Sequence, residues 1–170
     1  MSIAGGVDKS LLLGKTVDCN AIQIFTKSSR QWAAKPYTKE EIELFDLNRK
    51  ATGITTVIAH DSYLLNLGSP DDALRKRSVS AFIDELERCE ILGVSNLVAH
   101  PGSHVGVGED EGIKTIARSL DEVHAACPGY NVKVTLEITA GQGSNLGYRF
   151  EQIRNMIDAT RQRDRLRVCF

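Results

Sequence analysis

Short apolar runs alternate with longer amphipathic segments along the whole chain. The runs are AIQIF (21–25), TVIA (56–59), NLVA (96–99), VKVTLE (132–137) and LRVCF (166–170). Each run is too short for a helix, and the intervals between runs are too long for hairpins. The pattern therefore predicts the parallel strands of successive βα units, and an α/β fold.

The segments between these runs predict helices over 37–51, 69–93, 109–126 and 148–160. Thr38, with Glu41 three residues later, is typical of a capping box, and Gly93 predicts the end of the second helix. The residues expected on the buried sides of the second and third helices are Leu74, Phe82, Leu86 and Cys89, then Ile113, Ile116, Leu120 and Val123.

Length and composition predict one domain over residues 1–170, with a sizeable core. The net charge of −1 provides no overall basic field, so any contact with nucleic acid has to be local. The four cysteines are scattered, which argues against a zinc ribbon and a disulfide framework and favours a cytoplasmic location. No stretch has the length of a membrane span, and the N-terminus lacks a signal-peptide core.

Metal-binding side chains stand at the ends of three successive predicted strands. His60 and His100 are 40 residues apart, and Glu137 follows 37 residues later, which is one βα unit each time. The three residues therefore occupy equivalent places at the rim where a (β/α)₈ barrel carries its active site. Two histidines and a glutamate are a ligand set of catalytic zinc. The alternative is that each residue only makes a hydrogen bond or an ion pair in its loop.

Other motifs have simpler interpretations. GQGSNLG (141–147) spaces its glycines as GxGxxxG, which is not the dinucleotide fingerprint, and predicts a flexible rim loop. The arginines at 161, 163, 165 and 167 predict a solvated helix end and loop. We expect His124 to be at the surface or hydrogen-bonded, and His104 to be an outer neighbour of the metal ligands.

Four segments together resemble endonuclease IV, the zinc-dependent apurinic/apyrimidinic endonuclease of bacterial base-excision repair (AP endonuclease family 2). They are FTKSSRQW (25–32), HDSYLLNLGSP (60–70), HPGSH (100–104) and EITAGQGSNLG (137–147). The resemblance follows the family's order along nearly the whole chain. It implies a xylose-isomerase-like (β/α)₈ TIM barrel with three zinc ions that cuts double-stranded DNA 5′ to an abasic site.

The resemblance also implies roles for individual residues. His60, His100 and Glu137 match zinc ligands, with Glu137 as the catalytic bridge to a second zinc. The residues that match loops entering the DNA at the lesion are Arg30, Tyr63, Leu64 and Gln142. An abasic nucleotide has no base to unstack, so it leaves the helix easily, and these side chains would fill the gap. Arg30 and the nearby Lys27 and Lys35 would contact phosphates.

The chain also departs from the family pattern. It opens at MSIAGG, without the family's first strand, and RLRVCF corresponds to the start of the sixth strand. These departures predict a partial barrel lacking the first and last strands, with open edges, an exposed apolar face and a tendency to self-associate. We expect about one zinc, since the remaining ligands have no counterpart, and weak or no activity alone. Ile138 stands where the family usually has Asn.

Two other functions remain open. A sugar isomerase or epimerase on a related barrel would also use strand-end His and Glu ligands, although FTKSSRQW and AGQGSNLG suit DNA-contacting loops better than a closed sugar pocket. The second alternative is a catalytically inactive fragment that binds metal or DNA.

Overall fold

The computed structural model describes residues 1–170, in which five strands alternate with five helices. The strands are β1 (Ala21–Phe25), β2 (Thr56–His60), β3 (Asn96–Ala99), β4 (Lys133–Glu137) and β5 (Leu166–Cys169). The helices are α1 (Lys9–Thr16), α2 (Lys39–Thr52), α3 (Asp72–Ile91), α4 (Glu109–Ala126) and α5 (Phe150–Ala159), with a 3₁₀ turn at Arg163–Arg165. None of the helices is long and apolar enough to span a membrane.

The strands form one sheet in the order β1-β2-β3-β4-β5, and all neighbours are parallel. Spatial order equals chain order, which is the arrangement of consecutive βα units in a TIM barrel. The prediction of an α/β partial barrel is confirmed. In this sheet β1 and β5 each have a strand on one side only.

Alternate strand residues face the helices and form the core. A cluster of 29 buried residues includes Ile24, Ala59, Leu97 and Leu136. The first three are paired across β1, β2 and β3, and Leu136 lies on the same face of the sheet, two residues after the partner of Leu97 on β4. The opposite, inner face carries Ala21, Gln23, Phe25, Thr56, Ile58, His60, Asn96, Val98, Lys133, Thr135, Glu137, Arg167 and Cys169. The prediction of an apolar open face is therefore wrong for most of this face, which is mainly polar.

Helix boundaries follow their capping residues. The α2 capping box is confirmed, since Thr38 Oγ1 accepts from the Glu41 N–H (3.2 Å) and Glu41 Oε2 accepts from the Thr38 N–H (2.7 Å). Helix α3 begins later than predicted, because Asp71 caps it by accepting from the Leu74 N–H (2.9 Å). Leu74 is exposed, which contradicts its predicted place in the core. The predicted stripe of α4 is buried throughout.

Two predictions near the C-terminal end of α4 are wrong. His124 is only 1% exposed, and neither of its ring nitrogens has a hydrogen-bond partner. It is therefore neither at the surface nor hydrogen-bonded through its side chain. Arg165 is also buried, and its Nη1 donates to the carbonyls of His124 (3.3 Å) and Cys127 (2.9 Å). Burial, and then the charge of Arg165, lowers the pKa of His124 to about 4. The other three arginines of this run are exposed, as predicted.

Candidate metal centre

The three predicted metal ligands lie at the same edge of the sheet. His60 is the last residue of β2, Glu137 is the last residue of β4, and His100 directly follows β3. Strand alternation places His60 and Glu137 on the inner face, and His100, directly after β3, lies beside both of them. The side chain of His60 is 5% exposed, whereas those of Glu137 and His100 are 32% and 52% exposed. The group is thus open to solvent on the side of His100.

The distances within this group suit a single divalent ion. Glu137 Oε2 lies 2.9 Å from His60 Nε2 and 3.4 Å from His100 Nε2, and one ligand atom of each residue lies within 4.8 Å of the others. Bond lengths of ~2.0–2.2 Å in a tetrahedral zinc site separate ligand atoms by roughly 3.3 Å. The structure brings the three side chains together with this spacing, and their ligation of metal stays a prediction.

Asp61 fixes the orientation of the His60 ring. His60 Nδ1 lies 2.9 Å from the backbone oxygen of Asp61 and 3.2 Å from Asp61 Oδ1, so Nδ1 donates to this residue and Nε2 faces Glu137. Carboxylate and carbonyl partners of this kind hold metal-binding histidines in one tautomer. No role for Asp61 is predicted from the sequence, although its place next to a strand-end histidine is a signal for one.

Burial and the neighbouring ionisable groups shift the pKa values of the side chains in this centre. Burial lowers the pKa of His60, but its hydrogen bonds to Asp61 and Glu137 outweigh burial and raise this pKa to about 9. Burial raises the pKa of Asp61 to about 6, against the opposing charges of His60 and Lys27. The pKa of His100 is lowered, first by burial and then by the neighbouring His60. His60 therefore carries a proton on Nε2 near neutral pH when no metal is bound.

A buried ion pair lies behind Asp61. Lys27 Nζ lies 2.5 Å from Glu85 Oε1 on α3 and 3.4 Å from Asp84 Oδ2, and Glu85 also accepts from the Ser62 N–H (3.1 Å). Burial raises the pKa of Glu85 to about 7 despite the charge of Lys27. Because Lys27 is buried and paired, the prediction that it contacts phosphates is wrong.

The residues predicted to touch DNA lie on three loops around the ligand set. Arg30 and Gln142 are exposed, Leu64 is half-buried, and Tyr63 is 62% exposed. The Tyr63 ring centroid lies 5.5 Å from that of His60 and 6.1 Å from that of His100. Of these four, Tyr63 is the side chain that packs directly against the predicted metal ligands, and the DNA-binding role of all four stays a prediction.

Hydrogen bonds join the loops that follow β2, β3 and β4. Asn66 accepts from the Ser103 N–H (2.8 Å) and donates to the Ser103 carbonyl (3.0 Å), and Ser103 Oγ lies 2.6 Å from Ser144 Oγ. Gly102 has φ +130°, and a Cβ there would lie 2.8 Å from the Gly68 nitrogen, so glycine is required. The loop predicted to be flexible after Glu137 is thus tied to its neighbour.

A polar cavity of about 280 Å³ opens among these three loops, beside His100. Its polar lining includes Asn66, Ser103 and Thr139. His104, the expected outer neighbour of the ligands, instead accepts from the Gly106 and Gly108 N–H groups (3.2 Å each) within its own loop. Ile138, at the position where the resemblance leads us to expect Asn, is partly buried against the core.

Comparison with known proteins identifies the family of this chain. The chain matches the xylose isomerase-like TIM barrel family over residues 12–170. It is 48% identical to a probable endonuclease 4 of Chloroflexus aggregans, covering 99% of this chain and 59% of that protein. It is 44% identical to a probable endonuclease 4 of Geobacter sulfurreducens, covering 100% of this chain and 57% of that protein. The chain thus spans less than two thirds of the length of these relatives.

Solved structures show the same likeness. The endonuclease IV structure from Thermus thermophilus superposes with a TM-score of 0.83 at 32% identity, over 99% of this chain and 60% of that one. A D-psicose 3-epimerase from Clostridium cellulolyticum superposes with a TM-score of 0.74 at 17% identity, over 98% of this chain and 58% of that one. The second likeness shows the fold alone.

Proposed function

The chain belongs to the xylose isomerase-like TIM barrel family, and on that premise we propose that it carries a zinc-binding part of an endonuclease IV-type active site. The proposed reaction is hydrolysis of the phosphodiester 5′ to an abasic site in double-stranded DNA. The observation that carries the proposal is the convergence of His60, His100 and Glu137 at the spacing of one metal's ligands. The proteins named endonuclease 4 and endonuclease IV at 32–48% identity support this choice of reaction.

His60, His100 and Glu137 would hold the ion through Nε2, Nε2 and Oε2. A zinc ion bound there would polarise a phosphoryl oxygen and lower the pKa of a water molecule. The residues of this chain would orient and hold the ligands. Asp61 keeps the His60 ring in one orientation, and the His60 proton that faces Glu137 has to leave before an ion binds.

DNA would approach the loop side of the sheet. Arg30 is proposed to contact a phosphate, while Tyr63, Leu64 and Gln142 fill the gap left by the displaced abasic nucleotide. Exposed Arg30 and Gln142 and the open side of His100 support this direction of approach. Because Tyr63 packs beside both histidines, a nucleotide displaced next to it would lie close to the ion.

The expected activity of the chain alone is low. The structure brings together one group of at least three metal-binding side chains. Negative charge develops on the attacking, leaving and non-bridging oxygens together, and a metal cluster divides that charge. One ion cannot both activate water and hold the leaving oxygen, and losing such a preorganised contribution lowers the rate about 10²–10³-fold or more.

The test is nicking of a labelled duplex with one abasic analogue, resolved on a denaturing gel with EDTA as control. We expect slow or undetectable nicking by the chain alone. We expect EDTA-sensitive nicking when the remaining C-terminal segment of the Chloroflexus aggregans relative is added in trans. Efficient nicking by the chain alone would contradict the one-ion account. A reconstituted mixture that forms a complex and yet cleaves no abasic DNA would contradict the proposed reaction.

A sugar epimerase function has less support. The epimerase structures share the fold at 12–18% identity, which carries no argument about substrate. Epimerisation of D-psicose or D-tagatose by the zinc-loaded chain, measured by chromatography, would favour it instead.

A further inference from the structure

The loop between β1 and α2, residues 26–37, carries Arg30 at an exposed position. The bond that Arg30 makes is from its backbone N–H to Ser28 Oγ at 3.5 Å, so its guanidinium has no partner within the chain. A free cation on a long loop binds phosphate at a lower cost in conformational entropy when the loop already has a defined position. The structure shows what gives this loop its position.

The loop is closed at its base. Tyr37 Oη donates to the carbonyl of Thr26 at 2.5 Å and so joins the two ends of the loop. Ser62 Oγ donates to the carbonyl of Ser29 at 2.9 Å, which ties the first half of the loop to the loop after β2. Because Tyr63 directly follows Ser62, this bond also fixes the position of the Tyr63 backbone relative to the 26–37 loop.

Helix α3 holds the second half of the loop through Arg88. This buried side chain donates from Nη2 to the carbonyls of Ala34 (2.8 Å) and Lys35 (2.9 Å). Its Nε donates to Asp84 at 3.0 Å, and its guanidinium lies 5.1 Å from the centroid of the Tyr37 ring. A planar guanidinium can make these contacts together, whereas the ammonium of a lysine is a point charge and cannot.

Arg77 holds the middle of the loop from the same helix. Its guanidinium stacks on the Trp32 ring at 4.2 Å from the centroid, which is a close cation–π contact. Arg77, Asp84 and Arg88 are separated by seven and four residues, so they lie on one face of α3, directed at the loop. Two arginines of one rigid helix thus contact the loop at two separate points.

We propose that Arg77 and Arg88 are positioning residues that hold the 26–37 loop in one conformation before a ligand binds, so that Arg30 is presented to a phosphate. The inference rests on the proposed function and adds two residues of α3 that contact the loop at Trp32, Ala34 and Lys35 and form no hydrogen bond or ion pair with the three proposed metal ligands or with Arg30 itself. A preformed loop avoids the conformational entropy that ordering it on binding would cost.

Trp32 is the single tryptophan of the chain, so its fluorescence reports on this loop alone. The first test variant is Arg77→Met, which removes the guanidinium that stacks on Trp32. The second is Arg88→Lys, which keeps the positive charge but removes the planar guanidinium that donates to the two loop carbonyls. The control is Arg118→Met on α4, where the arginine is exposed and outside the loop contacts. We expect acrylamide quenching of Trp32 to increase in both test variants towards that of the urea-unfolded chain, and to stay at the wild-type level in the control.

The second measurement is binding of a duplex with one abasic analogue to the zinc-loaded chain. We expect Arg88→Lys to weaken binding about 3- to 10-fold at unchanged zinc content, since the charge is kept and only loop order is lost. The Arg118→Met control should bind like the wild type. An intact duplex of the same sequence measures non-specific binding.

The outcomes separate the two proposals. Unchanged Trp32 quenching in folded Arg77→Met and Arg88→Lys would overturn the inference, as would increased quenching with unchanged abasic-duplex binding. If Arg88→Lys lacks a cooperative melt, Arg77→Met decides by both measurements. Wild-type binding that does not distinguish abasic from intact duplex would count against the proposed function, while the quenching comparison would still decide whether α3 holds the loop.

Discussion

His124 is a buried histidine with no hydrogen-bond partner, and this has a consequence for stability. Its pKa is lowered from the ordinary value of 6.5 to about 4 in the folded protein, so the unfolded chain binds the proton more tightly. Above about pH 6.5, this group therefore has no effect on how the free energy of unfolding depends on pH. As the pH falls from about 6.5 towards 4, the group lowers that free energy.

We predict that His124→Leu removes this loss. The pKa difference corresponds to roughly 3 kcal/mol at pH 4, so the variant should gain about that much relative to the wild type between pH 7.5 and pH 4. The measurement is urea unfolding at several pH values, with His104→Leu, at a half-buried loop histidine, as the control. If the difference in free energy of unfolding between the wild type and His124→Leu does not change with pH, the burial of a neutral His124 is contradicted.

The sequence predicts that three metal-competent side chains come together, but it does not predict their surroundings. Three strand-end positions one βα unit apart are enough to find His60, His100 and Glu137, because parallel topology fixes where strand ends lie. Asp61 and Glu85 are missed, since their roles depend on a side-chain rotamer and on a contact with α3. The phosphate role predicted for Lys27 is wrong for the same reason, as nothing local shows that Glu85 pairs with it.

Elements are predicted well where the signal is local. The capping box at Thr38 and the stripe of α4 need only neighbouring residues, and β1, β3 and α4 have the predicted bounds. Helix α1 is not predicted, because its eight residues have weak amphipathic character. The polar inner face is also missed, since the face to which each strand residue points depends on strand register.

The edge strand β5 leads to a prediction about self-association. β5 pairs only with β4, and Val168 on it is 40% exposed. Unpaired backbone groups beside exposed apolar side chains favour edge-to-edge pairing, and a lysine on an edge strand disfavours it. We predict that Val168→Lys shifts the chain towards monomer in sedimentation velocity, compared with Val107→Lys in an exposed loop. Equal association of both variants would exclude β5 as the interface.

The molecule as a whole is five parallel strands of a TIM barrel with one His₂Glu group at the carboxyl edge. Helices cover one face of the sheet, and the loops on the site side are joined to one another and to α3. The fold brings the three proposed ligands together, and the joined loops surround them on the side from which DNA is proposed to approach.

The central claim is that His60, His100 and Glu137 form a metal site, and zinc binding by the purified chain tests it most directly. After loading and dialysis, metal analysis should give about one zinc per folded chain, since one ligand set is present. His100→Ala should lose most of that zinc, whereas His104→Ala should retain it, because His104 bonds within its own loop. A zinc content near zero, or one that His100→Ala leaves unchanged, would contradict the account.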